Sequence, residues 1–143
     1  ALLECLMSKS DDAKYQAVLQ AAIDALPSAY APYSQFQVGA AILDDKGEIH
    51  QGVNVENAAY PQGSCAEAGA IAAMVMKGGQ TIRHIAVAGR GDVLCTPCGG
   101  CRQRIREFAN PDTIISVCDE AGLRKSYAIA DLLPDSFGPD NLA

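Results

Sequence analysis

The chain has 143 residues, 49% hydrophobic and 20% charged, with a net charge of −6. That balance allows a sizeable buried core within a single domain spanning residues 1–143, and it excludes a disordered-type composition. No apolar run approaches membrane length, and an acidic chain without Lys/Arg clusters repels a phosphate backbone, so neither a membrane nor nucleic acid is expected as a partner.

Residues 1–10 read as a loose leader, with Ala1 to Met7 too short for a signal peptide before Lys9, Asp11 and Asp12. Ser10-Asp11-Asp12 offers N-cap chemistry to a helix in which Tyr15, Val18, Leu19, Ala22, Ile23 and Leu26 recur at helical spacing; Pro27 ends it. The loop Ala31-Pro32-Tyr33-Ser34 leads into a strand from Phe36 to Leu43. Asp44-Asp45-Lys46-Gly47 then turns the chain back along Glu48 to Val55. After the polar stretch from Glu56 to Gly63, the composition from Ala66 to Met76 predicts a helix, with Gly78-Gly79 as its stop. Ile82 to Ala88 is apolar enough to be a central strand. Pro97 fits the first residue of a helix that continues from Cys98 to Phe108. Strands are expected over Thr113 to Val117 and Leu123 to Ala128, with a turn from Asp119 to Gly122 between them. One helical turn, Ile129 to Leu133, precedes Pro134. A hairpin followed by alternating helices and strands predicts an α/β chain whose mixed sheet is covered by helices.

The six cysteines are Cys5, Cys65, Cys95, Cys98, Cys101 and Cys118. Thiols clustered at metal-ligand spacing suit a reducing cytosol, so a cytoplasmic location is expected. Ser64-Cys65-Ala66-Glu67 and Thr96-Pro97-Cys98-Gly99-Gly100-Cys101-Arg102-Gln103 together offer three thiolates to one tetrahedral metal with its fourth position open. Both segments begin helices, and the partial positive charge there predicts lowered thiol pKa values. Cys98 and Cys101, three apart, share a helical face. Glu67 stands close enough to take a proton from a polarised water and return it to a leaving nitrogen. Spacing alone leaves two alternatives open. Cys95 could join the other three cysteines in a closed four-thiolate structural site, or Cys95 and Cys98 could form a redox dithiol.

These two segments resemble the cytidine deaminases, specifically the small homotetrameric zinc type. So do Phe36-Gln-Val-Gly-Ala-Ala, Asn54-Val-Glu-Asn-Ala-Ala-Tyr-Pro and Leu132-Leu-Pro-Asp-Ser-Phe-Gly-Pro, and the resemblance covers residues 13 to 139, roughly. It implies a three-layer α-β-α fold with a five-stranded mixed sheet. It also implies one Zn²⁺ per subunit on Cys65, Cys98 and Cys101, leaving Cys95 out. Glu67 would be the proton shuttle, holding N3 and serving the departing ammonia. Asn54 and Glu56 would hydrogen-bond the ribose 3′-hydroxyl from one face of a strand end. Phe36 would pack against the pyrimidine, and the backbone of Ala66 would hold its polar edge. Ala58, Tyr60 and Phe137 would come from neighbouring subunits of a homotetramer with shared active sites. The implied reaction is hydrolytic deamination of free cytidine and 2′-deoxycytidine to the uridines, a step of pyrimidine salvage. On the residues alone, Phe36 also fits a core position, Asn54 and Glu56 a solvated loop, and Phe137 a tail anchor.

One position departs from the family pattern. Members commonly carry Arg directly after the glutamate, bonded to the ligand sulfurs, where this chain has Ala68. Three thiolates outweigh a divalent ion, so a cation is expected elsewhere. Arg102, beside Cys101, is the first candidate, with Arg90 and Arg104 behind it. An Ala at this position also occurs in the related blasticidin-S deaminases, whereas the Asn54-to-Pro61 segment and Phe137-Gly-Pro point to cytidine.

Overall fold

In the computed structural model, which describes residues 9–143, the strand Val38–Asp44 (β1) is buried along almost its whole length. Alternation sends Ala40 and Ile42 into one core and Ala41 and Leu43 into another. Such a strand has to lie inside a sheet covered on both faces. Five strands run in the order β2-β1-β3-β4-β5, with β2 at Ile49–Val53, β3 at Ile82–Gly89, β4 at Ala109–Asp119 and β5 at Gly122–Ala128. The β3–β4 pair is parallel and the other pairs are antiparallel, which is the five-stranded mixed sheet expected from the sequence.

Helix α1 (Lys9–Ala25) covers one face, where Val18, Leu19 and Ala22 pack with Ala41, Leu43, Ala86 and Ala88. Helices α2 (Ala66–Met76), α3 (Gly99–Phe108) and the short α4 (Ile129–Leu132) cover the other. There Ala70, Met74, Ile105 and Ile129 meet Ile42, Ile85 and Ile115. The three-layer α-β-α arrangement follows from these two cores. Among the described residues, no helix is long and apolar enough to cross a membrane.

Two glycines set how closely the helices approach. A Cβ on Gly52 would lie 2.2 Å from the backbone N of Ala70 and 2.3 Å from the carbonyl O of Ala66, so α2 rests directly on β2 backbone. On β1, a Cβ on Gly39 would meet the carbonyl O of Ala22 in α1 at 2.2 Å. Side chains at either place would push a helix off the sheet.

Several boundaries differ from the sequence expectation. Helix α1 begins at Lys9, so Ser10 lies within it rather than at its cap, and Asp11 and Asp12 occupy the first turn, where acidic groups favour a helix start. Lys9 and Ser10, expected in the leader, are helical, and the rest of that expectation, residues 1–8, lies outside the described residues. Pro97 precedes the helix cap instead of opening the helix, because Cys98 is the N-cap of α3. Strand β4 is longer than Thr113 to Val117. Its turn-forming residues Asn110-Pro111-Asp112 are accommodated by a register shift that pairs Ile82 with Ala109 and His84 with Ile114. Thr113 closes that irregularity: its hydroxyl accepts from the Asn110 N–H and donates to the Ile82 carbonyl at 2.6 Å.

Candidate metal and catalytic centre

The cysteines are placed by helix starts. Cys65 is the N-cap of α2 and Cys98 the N-cap of α3, both with extended backbone, and Cys101 is the third residue of α3. Ahead of Cys65, Val55 and Ser64 form a two-way backbone bridge, and Val55 also pairs with Tyr30. That knot aims the entry of α2 at the start of α3. The sulfurs of Cys65, Cys98 and Cys101 all lie within 4.8 Å of one another, and Cys65 and Cys98 are 4.0 Å apart. A tetrahedral ion with sulfur ligands at ~2.3 Å sets those sulfurs about 3.8 Å from one another, so the donor set fits zinc in both spacing and chemistry. Cys95 is outside this cluster and stands beside Gly89, so the four-thiolate alternative is not assembled.

Helix starts were expected to lower all the thiol pKa values, and they do so for one. Cys98 is lowered because its sulfur accepts the Cys101 backbone N–H. Cys65 and Cys101 are pushed up by burial, and the charge of Glu67 and of the other cysteines adds to it. Crowding outweighs the helix dipole here, and a bound divalent cation reverses that logic by favouring the thiolates. Cys95, partly buried, is likewise held up at about 11.

Glu67, in the first turn of α2, is only 4% exposed. Its Oε2 accepts from the Cys101 thiol at 3.5 Å. Burial raises its carboxyl above the usual carboxylate range, partly offset by that bond and by the charge of Arg104. A carboxyl that both holds and yields a proton near neutral pH needs this kind of environment.

Above the sulfurs opens a cleft of roughly 370 Å³. Of the residues expected at the site, Asn54, Glu56, Tyr60, Cys65, Ala66, Glu67 and Cys98 line it, whereas Phe36, Ala58, Cys101 and Phe137 do not. Cys101 is buried beneath the cleft floor. Phe36 is 45% exposed, with Cζ 3.7 Å from where a Cβ on Gly89 would stand, in the space Cys95 also borders. Ala58 and Phe137 are exposed, and Phe137 is tethered through its carbonyl, which accepts from Gln103 at 3.0 Å. Val38, Thr96 and Cys95 are wall residues that the sequence reading did not assign. Val38 was within reach of it, since it lies two residues beyond Phe36 and so on the same side of an extended chain.

Asn54 and Glu56 are ordered by their own hydrogen bonds rather than merely solvated. Asn54 Oδ1 accepts from the Val38 N–H at 2.8 Å and its Nδ2 donates to the Phe36 carbonyl at 2.8 Å, replacing a rung of the ladder beyond the end of β2. Glu56 Oε1 accepts from the N–H groups of Tyr33 and Ser34 at 2.9 and 3.1 Å, and Oε2 accepts from the Ser34 hydroxyl. These donors, the Ser34 hydroxyl foremost, lower the Glu56 pKa. One Nδ2 hydrogen and lone pairs on Oε2 remain for a ligand.

Arg102, the first candidate for the charge-balancing cation, does not bond to the sulfurs. That side chain donates to the carbonyls of Pro97 and Leu132 at 2.7 and 3.0 Å and to Thr96, fastening the α3 entry to α4. Arg90 pairs with Glu120 and Gln37. Arg104 is the one that reaches the sulfurs, with Nη1 3.6 Å from Cys101 Sγ.

Comparison with known proteins gives a consistent picture. Residues 12–117 match the family described as the cytidine and deoxycytidylate deaminase zinc-binding region. A cytidine deaminase of Mycobacterium tuberculosis is 41% identical over 122 residues, covering 85% of this chain and 87% of the relative. One from Halalkalibacterium halodurans is 35% identical over 127 residues, covering 89% and 96%. The crystal structure of cytidine deaminase from Burkholderia pseudomallei superposes with a TM-score of 0.78 at 36% identity, covering 92% of this chain and all of that one.

Proposed function

The chain belongs to the cytidine and deoxycytidylate deaminase family and is an enzyme of that class, and on that premise we propose that it hydrolytically deaminates free cytidine and 2′-deoxycytidine to the uridines, releasing ammonia in pyrimidine salvage. The observation that carries this reading is the buried Glu67 carboxyl in contact with Cys101, at the floor of a cleft whose wall presents Asn54 and Glu56.

Cys65, Cys98 and Cys101 would hold one Zn²⁺ per subunit. When bound, zinc supplies a water whose pKa is brought from about 16 toward ~7 and a Lewis acid beside the reacting carbon. The chain's own residues do the rest. Glu67 accepts the proton of the attacking water and passes it to ring N3. It then takes the second proton, from the new C4 hydroxyl, and delivers it to the exocyclic amine, so that a C4 carbonyl replaces the C4–N bond and ammonia leaves. A carboxyl raised by burial suits both directions of that transfer. The backbone of Ala66, fully buried at the start of α2, holds the polar edge of the pyrimidine. Phe36 packs on its face.

Asn54 and Glu56 bind the ribose 3′-hydroxyl with the donor and acceptor capacity left to them. A 3′-phosphodiester would crowd the same groups and face the acidic charge of the chain, which favours a free nucleoside over a nucleic acid strand. Tyr60 and Phe137 are 78% and 57% exposed, apolar surface that a neighbouring copy would cover. With Ala58 they would complete shared sites in a homotetramer.

The test is turnover. Zinc-replete protein incubated with cytidine or 2′-deoxycytidine loses the substrate's absorbance as the uridine forms. No turnover of either overturns the reading, and turnover of blasticidin S alone moves the substrate to that class.

A further inference from the structure

Arg104 lies three residues beyond Cys101 on α3 and therefore on the same helical face. Its side chain folds back toward the helix start, and the residue stays exposed while Nη1 turns inward to the buried Cys101 sulfur. Nη1 donates to Cys101 Sγ at 3.6 Å, and the guanidinium lies over Gly100, where a Cβ would stand 3.1 Å from Nη1 and 4.0 Å from Cζ. Gly100 thus leaves the space that Arg104 occupies. The same charge is felt at Glu67, whose carboxyl it draws down against the effect of burial.

The site needs such a charge. Three thiolates around a divalent ion carry an excess negative charge next to buried Glu67, and burying uncompensated charge is costly. The starts of α2 and α3 supply partial positive charge. Position 68 holds Ala, and Arg90 and Arg102 are engaged elsewhere. We propose that Arg104 is the cationic partner of the sulfur cluster, donating to Cys101 Sγ and offsetting the charge the thiolates hold in excess of a divalent ion, and so sets how tightly that ion is kept. A guanidinium suits the task because it stays protonated at any physiological pH and aims its N–H groups rigidly. Arg104 touches no substrate in this account and acts through the metal ligands.

The proposal rests on the zinc reading, and its test separates the two. Full-length wild type, Arg104→Gln and Arg104→Lys are loaded with zinc and titrated with a chromophoric chelator, and the cobalt-substituted forms are compared by their thiolate-to-metal absorption. Arg104→Gln should hold zinc about 10- to 100-fold more weakly, the usual effect of removing a residue that supports a metal ligand. Its cobalt band should also shift. Arg104→Lys, which keeps the charge, should lose less than Arg104→Gln on both measures. Equal zinc affinity in wild type and Arg104→Gln overturns the proposal, and so does an equal loss in Lys and Gln, which would make the role one of shape. Wild type that binds no zinc overturns the metal reading and the proposal together. Wild type that binds zinc but leaves cytidine unchanged overturns the substrate reading alone, and the affinity comparison still decides the role of Arg104.

Discussion

The Cys101 thiol and the Glu67 carboxyl, 34 residues apart in sequence, meet at 3.5 Å beneath the cleft floor. Two helix starts thereby bring one thiol of the sulfur cluster against a buried carboxyl.

Replacing Glu67 with Gln keeps the shape and removes the transferable proton. Turnover should fall by at least the ~10²–10⁴-fold attributed to a positioned general acid–base, while zinc stays bound. Steady-state rates measured alongside metal content check this. A variant that keeps most of its rate would remove Glu67 from the chemistry.

Cys95 divides an open three-thiolate site from a closed four-thiolate one. Its sulfur lies outside the cluster, so Cys95→Ser should retain one zinc per chain, whereas Cys65→Ser should lose it. Metal analysis after gel filtration reads the difference. Loss of zinc from Cys95→Ser would favour a structural site.

Asn54 pins the start of β1 and also lines the cleft. Asn54→Ala leaves the Val38 N–H and the Phe36 carbonyl without their partner and should cost about 1 kcal/mol of stability as well as raising KM for cytidine. Glu56→Gln can keep a carbonyl oxygen for the N–H groups of Tyr33 and Ser34 but puts an NH₂ group where Oε2 offered its lone pairs, and should raise KM at least several-fold. Chemical denaturation and initial rates separate the two contributions. An unchanged KM in both variants would dismiss a ribose role.

His84 gives the chain an acid-sensitive point away from the site. It is buried, stacked on Tyr15 with ring centroids 4.4 Å apart and bonded through Nε2 to Ser116 at 2.8 Å, and burial lowers its pKa from 6.5 to about 3. The unfolded chain therefore takes up the proton first as pH falls. The contribution of His84 is complete above pH 6.5 and drains away between 6.5 and about 3, with a slope of up to ~1.4 kcal/mol per pH unit. His84→Asn should lower stability near neutral pH, where the stacked imidazole is lost, and flatten that acid limb by one proton, so that the two curves converge as pH falls. Thermal unfolding of both proteins in the same metal state, from pH 8 downward, provides the measurement, and parallel limbs would contradict it.

Much of the frame was legible because local signals and global packing agree in this chain. The bounds of α2 follow directly from its apolar composition and from Gly78, which takes the left-handed φ of 85° that ends a helix. The hairpin was marked by Asp45-Lys46-Gly47, and the paired cysteine segments fell on helix starts as expected. What escaped depends on contacts between distant segments. The start of β4 was hidden by Asn110-Pro111-Asp112, which reads as a turn until Thr113 ties it to Ile82. Arg102 was preferred over Arg104 because it adjoins Cys101 in sequence, yet adjacent helical residues point about 100° apart, and the i+3 position is the one that shares the sulfur's face. The crowding that raises Cys65 and Cys101 depends on distances between the two helix starts, which no spacing rule contains.

Gly39 and Gly52 are diagonal neighbours on adjoining strands, one facing α1 and the other facing α2. Where they meet, a single thickness of peptide separates the outer helix from the one that carries Glu67, with no cushion of side chains to absorb displacement. An enlarged residue at Gly39 would displace α1 at Ala22, and one at Gly52 would displace the first turn of α2, where Glu67 sits.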